Sequence, residues 1–198
     1  MLGFFAAGIT VDLLDLLNAR RSTPSRLLGE PGPAPAELQR LLQSAVRVPD
    51  HGRLDPFRLI ALEGAARVRF GETLARIHAR MDPATPDAAL DKDRKRYLDA
   101  PLILVVVARI DEHHAKVPAQ EQLLSAGCVG YNLLLGAQAL GYGAQMLTGW
   151  AAYDREVADL LGLTENERVL AFVHIGTARE RAPERNRPAV ANLLSHWS

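Results

Sequence analysis

A long helix with many small residues is predicted in the second half of the chain, from about Gln120 to Leu140. Pro118 and Glu121 occupy the positions that helix starts favour, because proline suits the first turn and a carboxylate complements the helix dipole. The small residues of the helix are Ala126, Gly127, Cys128, Gly130, Gly136, Ala137 and Ala139. Such residues allow another backbone to approach closely. We therefore place this helix in the centre of the molecule.

Strand and helix patterns lie on both sides of it. Leu102–Ala108 is a continuous β-branched run typical of a strand buried on both faces, and Val169–Ile175 predicts the last strand. Another strand is predicted at Phe57–Leu62 and a short one between Gly143 and Thr148. Helices are predicted around Leu13–Leu17, around Leu38–Val46, at Ala65–Ala79 and at Asp154–Leu161.

Three segments have no such pattern. Residues 1–10 are interpreted as a lead-in to the first helix, and residues 82–99 as a mobile, charged surface segment or a lid. Residues 177–198 are rich in arginine and proline and are interpreted as a C-terminal arm that lies on another surface.

Composition limits the class of protein. The 198 residues are 48% apolar, which suits a single domain, 1–198. Because 23 basic residues balance 23 acidic ones, we expect neither a nucleic acid nor a membrane as partner, but a small molecule or a second subunit. The single cysteine, Cys128, excludes an intrachain disulfide, and the cytoplasm is the expected compartment.

Familiar catalytic motifs are absent from the sequence. Gly141 and Gly143 match the first two glycines of a dinucleotide fingerprint, but Met146 stands at the third position and a helix precedes them. There is no phosphate-loop, serine-hydrolase or zinc-protease motif. If this chain transfers hydride, it must bind its cofactor with a fold other than the dinucleotide-binding one.

Two polar clusters are candidate binding residues. Arg20-Arg21-Ser22 offers two guanidiniums and a hydroxyl for a phosphate, although arginines at a helix end can simply offset the helix dipole. Arg47, Asp50 and His51 lie on a proline-containing turn that could face a ligand, although Asp50 could equally close its own turn.

A third candidate is Thr148-Gly149-Trp150, which combines a hydroxyl, an accessible backbone and an aromatic wall, although Trp150 alone would more often be core. Cys128 is interpreted as a small buried hydrophobe rather than a nucleophile. His113 and His114 are interpreted as surface residues.

Taken in order, these segments resemble the nitroreductase family, especially its minimal bacterial members. The resemblance spans about Leu13 to Arg187. The matching residues are Arg20-Arg21-Ser22, Arg47-Val48-Pro49-Asp50-His51-Gly52, Pro56-Phe57, Lys116-Val117-Pro118, Glu121-Gln122, Ser125-Ala126-Gly127-Cys128, Leu140-Gly141-Tyr142-Gly143, Thr148-Gly149-Trp150 and Gly176-Thr177. Phe57 replaces the usual Trp, and Leu54-Asp55 replaces a more polar pair, which affects pocket shape more than cofactor binding.

The resemblance implies an α+β fold with a mixed sheet packed by helices, and a homodimer entwined around the long central helix, with flavin mononucleotide (FMN) in each interface. It assigns Arg20, Arg21 and Ser22 of one subunit to the flavin phosphate and ribityl end, and Arg47 and His51 to an approach from the other subunit. It further assigns the flavin ring to Met146, Leu147, Thr148 and Gly149, and the phosphate also to Arg185 or Arg187.

The implied function is an oxidoreductase that takes hydride from NADPH or NADH and reduces a nitro compound, a quinone or an activated alkene. No side chain is assigned a catalytic role, because the flavin carries the chemistry. A flavin-binding or flavin-modifying module of the same fold is the alternative. A nonenzymatic helical interaction protein ranks last, because it gives the polar clusters no shared purpose.

Overall fold

The computed structural model describes residues 12–198, so the predicted lead-in at 1–10 lies outside the described residues. The helices are α1 Leu13–Ala19, α2 Pro35–Ala45, α3 Ala65–Met81, α4 Asp87–Arg96, α5 Ala119–Ala139 and α6 Arg155–Leu160. The strands are β1 Leu28–Gly29, β2 Phe57–Glu63, β3 Leu102–Arg109, β4 Gly143–Leu147 and β5 Glu167–Ala178.

The five strands form one antiparallel sheet with β5 as its hub. β5 pairs with β3 along Glu167–Ile175, while β4 and β1 pair with successive parts of β5, and β2 pairs with β3. All residues of β3 except Arg109 are buried, as its β-branched run predicts. The α+β prediction is thereby confirmed.

Helices cover both faces of the sheet. On one face α5 buries Ala126, Val129 and Leu133 against the sheet and also packs against α2. On the other face α3, α6 and the residue after α4, Tyr97, enclose a second core around Phe172. The predicted long helix is confirmed, and within one chain its other face is open, with Leu124 and Tyr131 exposed.

The segment 82–99 contains α4, a helix that its charged, proline-containing sequence does not predict. Asp93, in the charged run, is buried and accepts hydrogen bonds from the Trp150 indole at 3.3 Å and from His78 Nδ1, 2.6 Å away. Tyr97 is 1% exposed. The buried Asp93, the Arg94–Glu72 ion pair and Tyr97 just after the helix hold α4 in place, and none of these contacts produces an apolar periodicity that the sequence could show. Mobility of 82–99 remains a prediction.

α4 lies close to α3 because residue 71 is a glycine. A Cβ at Gly71 would lie 2.7 Å from the carbonyl oxygen of Arg94. We expect Gly71→Ala to push α4 outward and to lower the free energy of unfolding by about 1–3 kcal/mol, measured by urea denaturation. Arg76→Ala, at an exposed position of the same helix, serves as the control. An equal or smaller loss in Gly71→Ala than in the control would contradict this account of the packing.

Candidate functional site

A small arginine-lined cavity lies where the chain leaves α1. Its volume is about 110 Å³. The residues that line it are Arg20, Arg21, Ser22, Pro24, Ala182, Pro183, Arg185 and Arg187. The backbone N–H of Thr23 donates to the carbonyl of Ala144 at 3.0 Å, which fixes this segment beside β4. Two regions far apart in the sequence, the end of α1 and the C-terminal arm, therefore meet here.

The cavity is strongly basic. The pKa of Arg21 is lowered below its usual value, first because the guanidinium is partly desolvated and then because three other cations lie nearby, Arg187, Arg20 and Arg181. Glu184 forms an ion pair with Arg21. Arg187 also donates to the carbonyl of Arg20 at 3.4 Å, which ties the arm to the segment after α1. A set of guanidiniums that crowd one another in this way fits an anionic group such as a phosphate.

A larger cavity of about 720 Å³ adjoins this one and shares Arg21 with it. It lies between the end of α1, the last turn of α5, the start of β4 and the arm. Gln138 Nε2 donates to the carbonyl of Leu16 at 2.9 Å, which fixes α1 against this end of α5. Neither cavity is lined by Met146–Gly149.

The segment Met146–Gly149 is at the end of β4 and faces outward. Met146 is 44% exposed, Thr148 and Gly149 are also exposed, and Leu147 is half-buried. Gly149 has φ +97°, a conformation that other residues rarely adopt. Trp150, which follows, packs against the core and hydrogen-bonds Asp93, so it supports this segment from behind.

Arg47 and His51 lie beside α5 at different points along its length. His51 Nδ1 is 2.8 Å from Glu121 Oε2, at the N-terminal end of the helix. The carbonyl of Arg47 accepts from the Asn132 amide at 3.4 Å. Asp50 accepts from two backbone N–H groups of its own turn, so it closes that turn, as one of the two interpretations predicted.

Neither Arg47 nor His51 lines the arginine-lined cavity or the larger cavity beside it. Glu121 contacts His51, whereas Gln138 holds α1 and the segment that follows it. At about 1.5 Å per residue, these two positions on α5 are roughly 25 Å apart. Asn132, which holds the Arg47 carbonyl, is only about 9 Å from Gln138 along the helix, so this separation applies to His51 and not to Arg47.

A second basic cavity of about 310 Å³ was not predicted. It is lined by Pro24, Ser25, Arg26, Lys92, Lys95, Arg96, Asp99 and Gln145. Its residues come from three separate segments, and the sequence signal was the basic last turn of what proves to be α4.

In residues 12–198, no group of His, Cys, Asp and Glu could hold a metal ion. No helix in the same range is long and apolar enough to cross a membrane.

Comparisons with known proteins agree with this architecture. The model of the nitroreductase family matches residues 17–177. A Haemophilus influenzae protein named "Putative NAD(P)H nitroreductase" is 35% identical over 177 residues, covering 87% of this chain and 91% of that protein.

Solved structures of other proteins share the fold, among them the following two. A nitroreductase-like family protein from Bacillus cereus superposes with a TM-score of 0.79 at 19% identity, covering 97% of this chain and 99% of that one. A mutant of NfnB, an FMN- and NADPH-dependent nitroreductase from Sphigopyxis sp. strain HMH, has a TM-score of 0.74 at 19% identity, covering 95% of this chain and 100% of that one.

Proposed function

This chain belongs to the nitroreductase family, and on that premise we propose that it is an FMN-dependent oxidoreductase that takes hydride from NADPH or NADH. The observation that carries the proposal is the meeting of Arg20, Arg21 and Ser22 with Arg185 and Arg187 around one cavity. Family membership supports oxidoreductase chemistry, and the cavity supports a phosphate-bearing cofactor.

The residues of the arginine-lined cavity fit the phosphate of FMN. Guanidiniums bind phosphate oxygens through charge-assisted and bidentate hydrogen bonds, and the Ser22 hydroxyl adds a donor. Arg21 would exchange its ion pair with Glu184 for the stronger charge of the phosphate. Both tail arginines line the cavity, so we propose that Arg185 and Arg187 share the phosphate rather than that one of them binds alone.

The exposed segment Met146–Gly149 would hold the flavin ring. The exposed Met146 side chain would offer apolar surface to one ring face, and the backbone of Leu147 with Thr148 and Gly149 would offer polar groups to its edge. FMN, when bound, supplies the hydride acceptor and donor of the reaction. The protein binds and orients the reactants, and no side chain is assigned a proton-transfer step.

We propose that the site is completed in a homodimer. His51 lies at the opposite end of α5 from the helix end that holds α1, and neither His51 nor Arg47 lines the phosphate cavity, so the site would use Arg47 of the partner subunit and His51 of the partner subunit. The exposed face of α5 and the arm supply apolar surface for such an interface, since Leu124, Leu193, Leu194 and Trp197 are all exposed.

We also propose the cytoplasm as the compartment, because the single cysteine gives no sign of disulfide chemistry.

The acceptor is proposed to be a nitro compound, a quinone or an activated alkene. The test is NADPH oxidation by the FMN-loaded protein with and without nitrobenzene or a benzoquinone. We expect oxidation that depends on both FMN and acceptor. A protein that binds FMN tightly but oxidises neither NADPH nor NADH with any of these acceptors would instead be the flavin-binding module.

A further inference from the structure

We propose that the second basic cavity binds the 2′-phosphate of NADPH, and that the enzyme therefore prefers NADPH to NADH. This inference rests on the proposed function, because it concerns the reductant of that reaction. The cavity, called the α4 cavity below, brings together four cationic side chains, Arg26, Lys92, Lys95 and Arg96, and one carboxylate, Asp99.

The four cations of the α4 cavity have no carboxylate partner. Among the ion pairs found within residues 12–198, none includes any of the four. The nearest acidic residues on α4 are engaged elsewhere, because Asp91 pairs with Arg94, and Asp93 binds His78 and Trp150. The chain as a whole has no net charge, so this excess is local. Such an arrangement attracts an anion.

The α4 cavity lies next to the segment proposed to hold the flavin ring. Its wall includes Gln145, whose side chain points to the sheet face opposite that of Met146, so the cavity and that segment meet beyond the end of β4, at Gly149. The Arg96 guanidinium lies 3.2 Å from the position that a Cβ would take if residue 149 had a side chain, so it lies against Gly149. Ser25 N–H donates to Gln145 Oε1 at 2.6 Å, which joins the Pro24–Arg26 side of the cavity to β4. The cavity therefore borders the Gly149 end of that segment, and we propose that the 2′-phosphate of a bound NADPH reaches it from there.

A phosphate monoester suits these residues better than a single carboxylate does. The 2′-phosphate carries about two negative charges near neutral pH, and an arginine commonly receives it in dinucleotide sites. Lys92 and Lys95 are exposed and Arg96 is half-buried, so the cavity is open at its rim. NADH lacks this phosphate and gains nothing from the cavity.

The test uses a probe that contains the 2′-phosphate but no nicotinamide. Adenosine 2′,5′-bisphosphate and adenosine 5′-monophosphate are titrated calorimetrically into the FMN-loaded wild-type protein and into two double variants. Lys92→Gln/Lys95→Gln, called the α4 variant, removes two charges from the α4 cavity. Arg69→Gln/Arg76→Gln, called the α3 variant, removes two charges from exposed positions on α3 that do not line it. Circular dichroism and flavin content confirm that both variants are folded and loaded.

We expect the wild type and the α3 variant to bind the bisphosphate at least about tenfold more tightly than the monophosphate, and the α4 variant to lose most of that difference. In steady-state kinetics, the KM for NADPH should be about tenfold higher in the α4 variant than in the wild type, and the KM for NADH should differ less than twofold. Equal binding of the two nucleotides by the wild type, or equal losses in both variants, would overturn the inference.

Two further outcomes separate this inference from others. If the α4 variant raised KM for 4-nitrobenzoate but not for nitrobenzene or NADPH, the cavity would serve an anionic acceptor and the inference would be wrong. If the bisphosphate preference were present but no reductant were oxidised, the proposed function would fail while the phosphate site stood. Efficient turnover with equal KM for NADPH and NADH would overturn only the inference.

Discussion

Arg21→Glu is expected to weaken FMN binding by at least about 100-fold, because it would remove the proposed charge-assisted contact and place a carboxylate beside the phosphate. Arg21 lines both the arginine-lined cavity and the larger cavity beside it. The variant loses its attraction for the anion, while Arg20 and Arg187 remain. Quenching of FMN fluorescence during titration with the protein measures the effect.

Riboflavin supplies the control, since it has the same ring and no phosphate. Arg21→Glu should change riboflavin affinity less than about threefold, and Arg69→Glu, at an exposed position on α3, should change neither affinity. Glu184→Gln should raise FMN affinity, because it removes the carboxylate that pairs with Arg21. Equal losses for FMN and riboflavin in Arg21→Glu would show that the residue acts on folding or on the ring, and the phosphate assignment would be wrong.

The second large effect is a loss of stability in mild acid that depends on His174. This residue lies in β5, is fully buried, and packs against the Tyr97 ring at 5.5 Å. Within residues 12–198 neither ring nitrogen finds a hydrogen-bond partner. Burial, with a smaller contribution from the Arg96 charge, lowers the pKa of His174 from 6.5 to about 3.

The folded protein therefore excludes a proton that the unfolded chain binds below pH 6.5. Stability is full above pH 6.5 and falls as the pH decreases toward 3, by about 1.4 kcal/mol per pH unit once the unfolded histidine is charged. Between pH 7 and pH 5 the free energy of unfolding should fall by about 2 kcal/mol on account of this residue. Urea denaturation at the two pH values measures the loss.

His174→Leu provides the comparison. Because the imidazole nitrogens make no hydrogen bond, an apolar replacement of similar size should cost little at pH 7. The variant should lose about 2 kcal/mol less than the wild type between pH 7 and pH 5. Parallel losses in the two proteins would mean that His174 becomes protonated in the folded state, contrary to the expected exclusion.

The regular elements followed from local patterns. The long helix and the strand at Leu102–Ala108 were located to within about one residue, because length, glycine content and β-branching are local properties. Helix α4 was missed, because Asp93 and Tyr97 are buried by residues distant in sequence, His78, Trp150 and Phe172. A charged run otherwise indicates a solvated surface.

The candidate site was predictable only in part, because segments distant in sequence bring its residues together. Arg20-Arg21-Ser22 could be singled out from residue types, but their meeting with Arg185 and Arg187 depends on the path of the C-terminal arm. The resemblance to the family suggested that meeting, whereas local patterns did not. The α4 cavity had no family motif to indicate it, and its residues converge only through the packing of α4 beside β4.

The most direct test of the account is the visible spectrum of the purified, FMN-loaded protein under anaerobic conditions, before and after NADPH is added. We expect a flavin band that bleaches on mixing and returns when nitrobenzene is added. A protein that binds no FMN, or whose flavin band persists with both NADPH and NADH, would contradict the proposal that this chain is a flavin-dependent reductase.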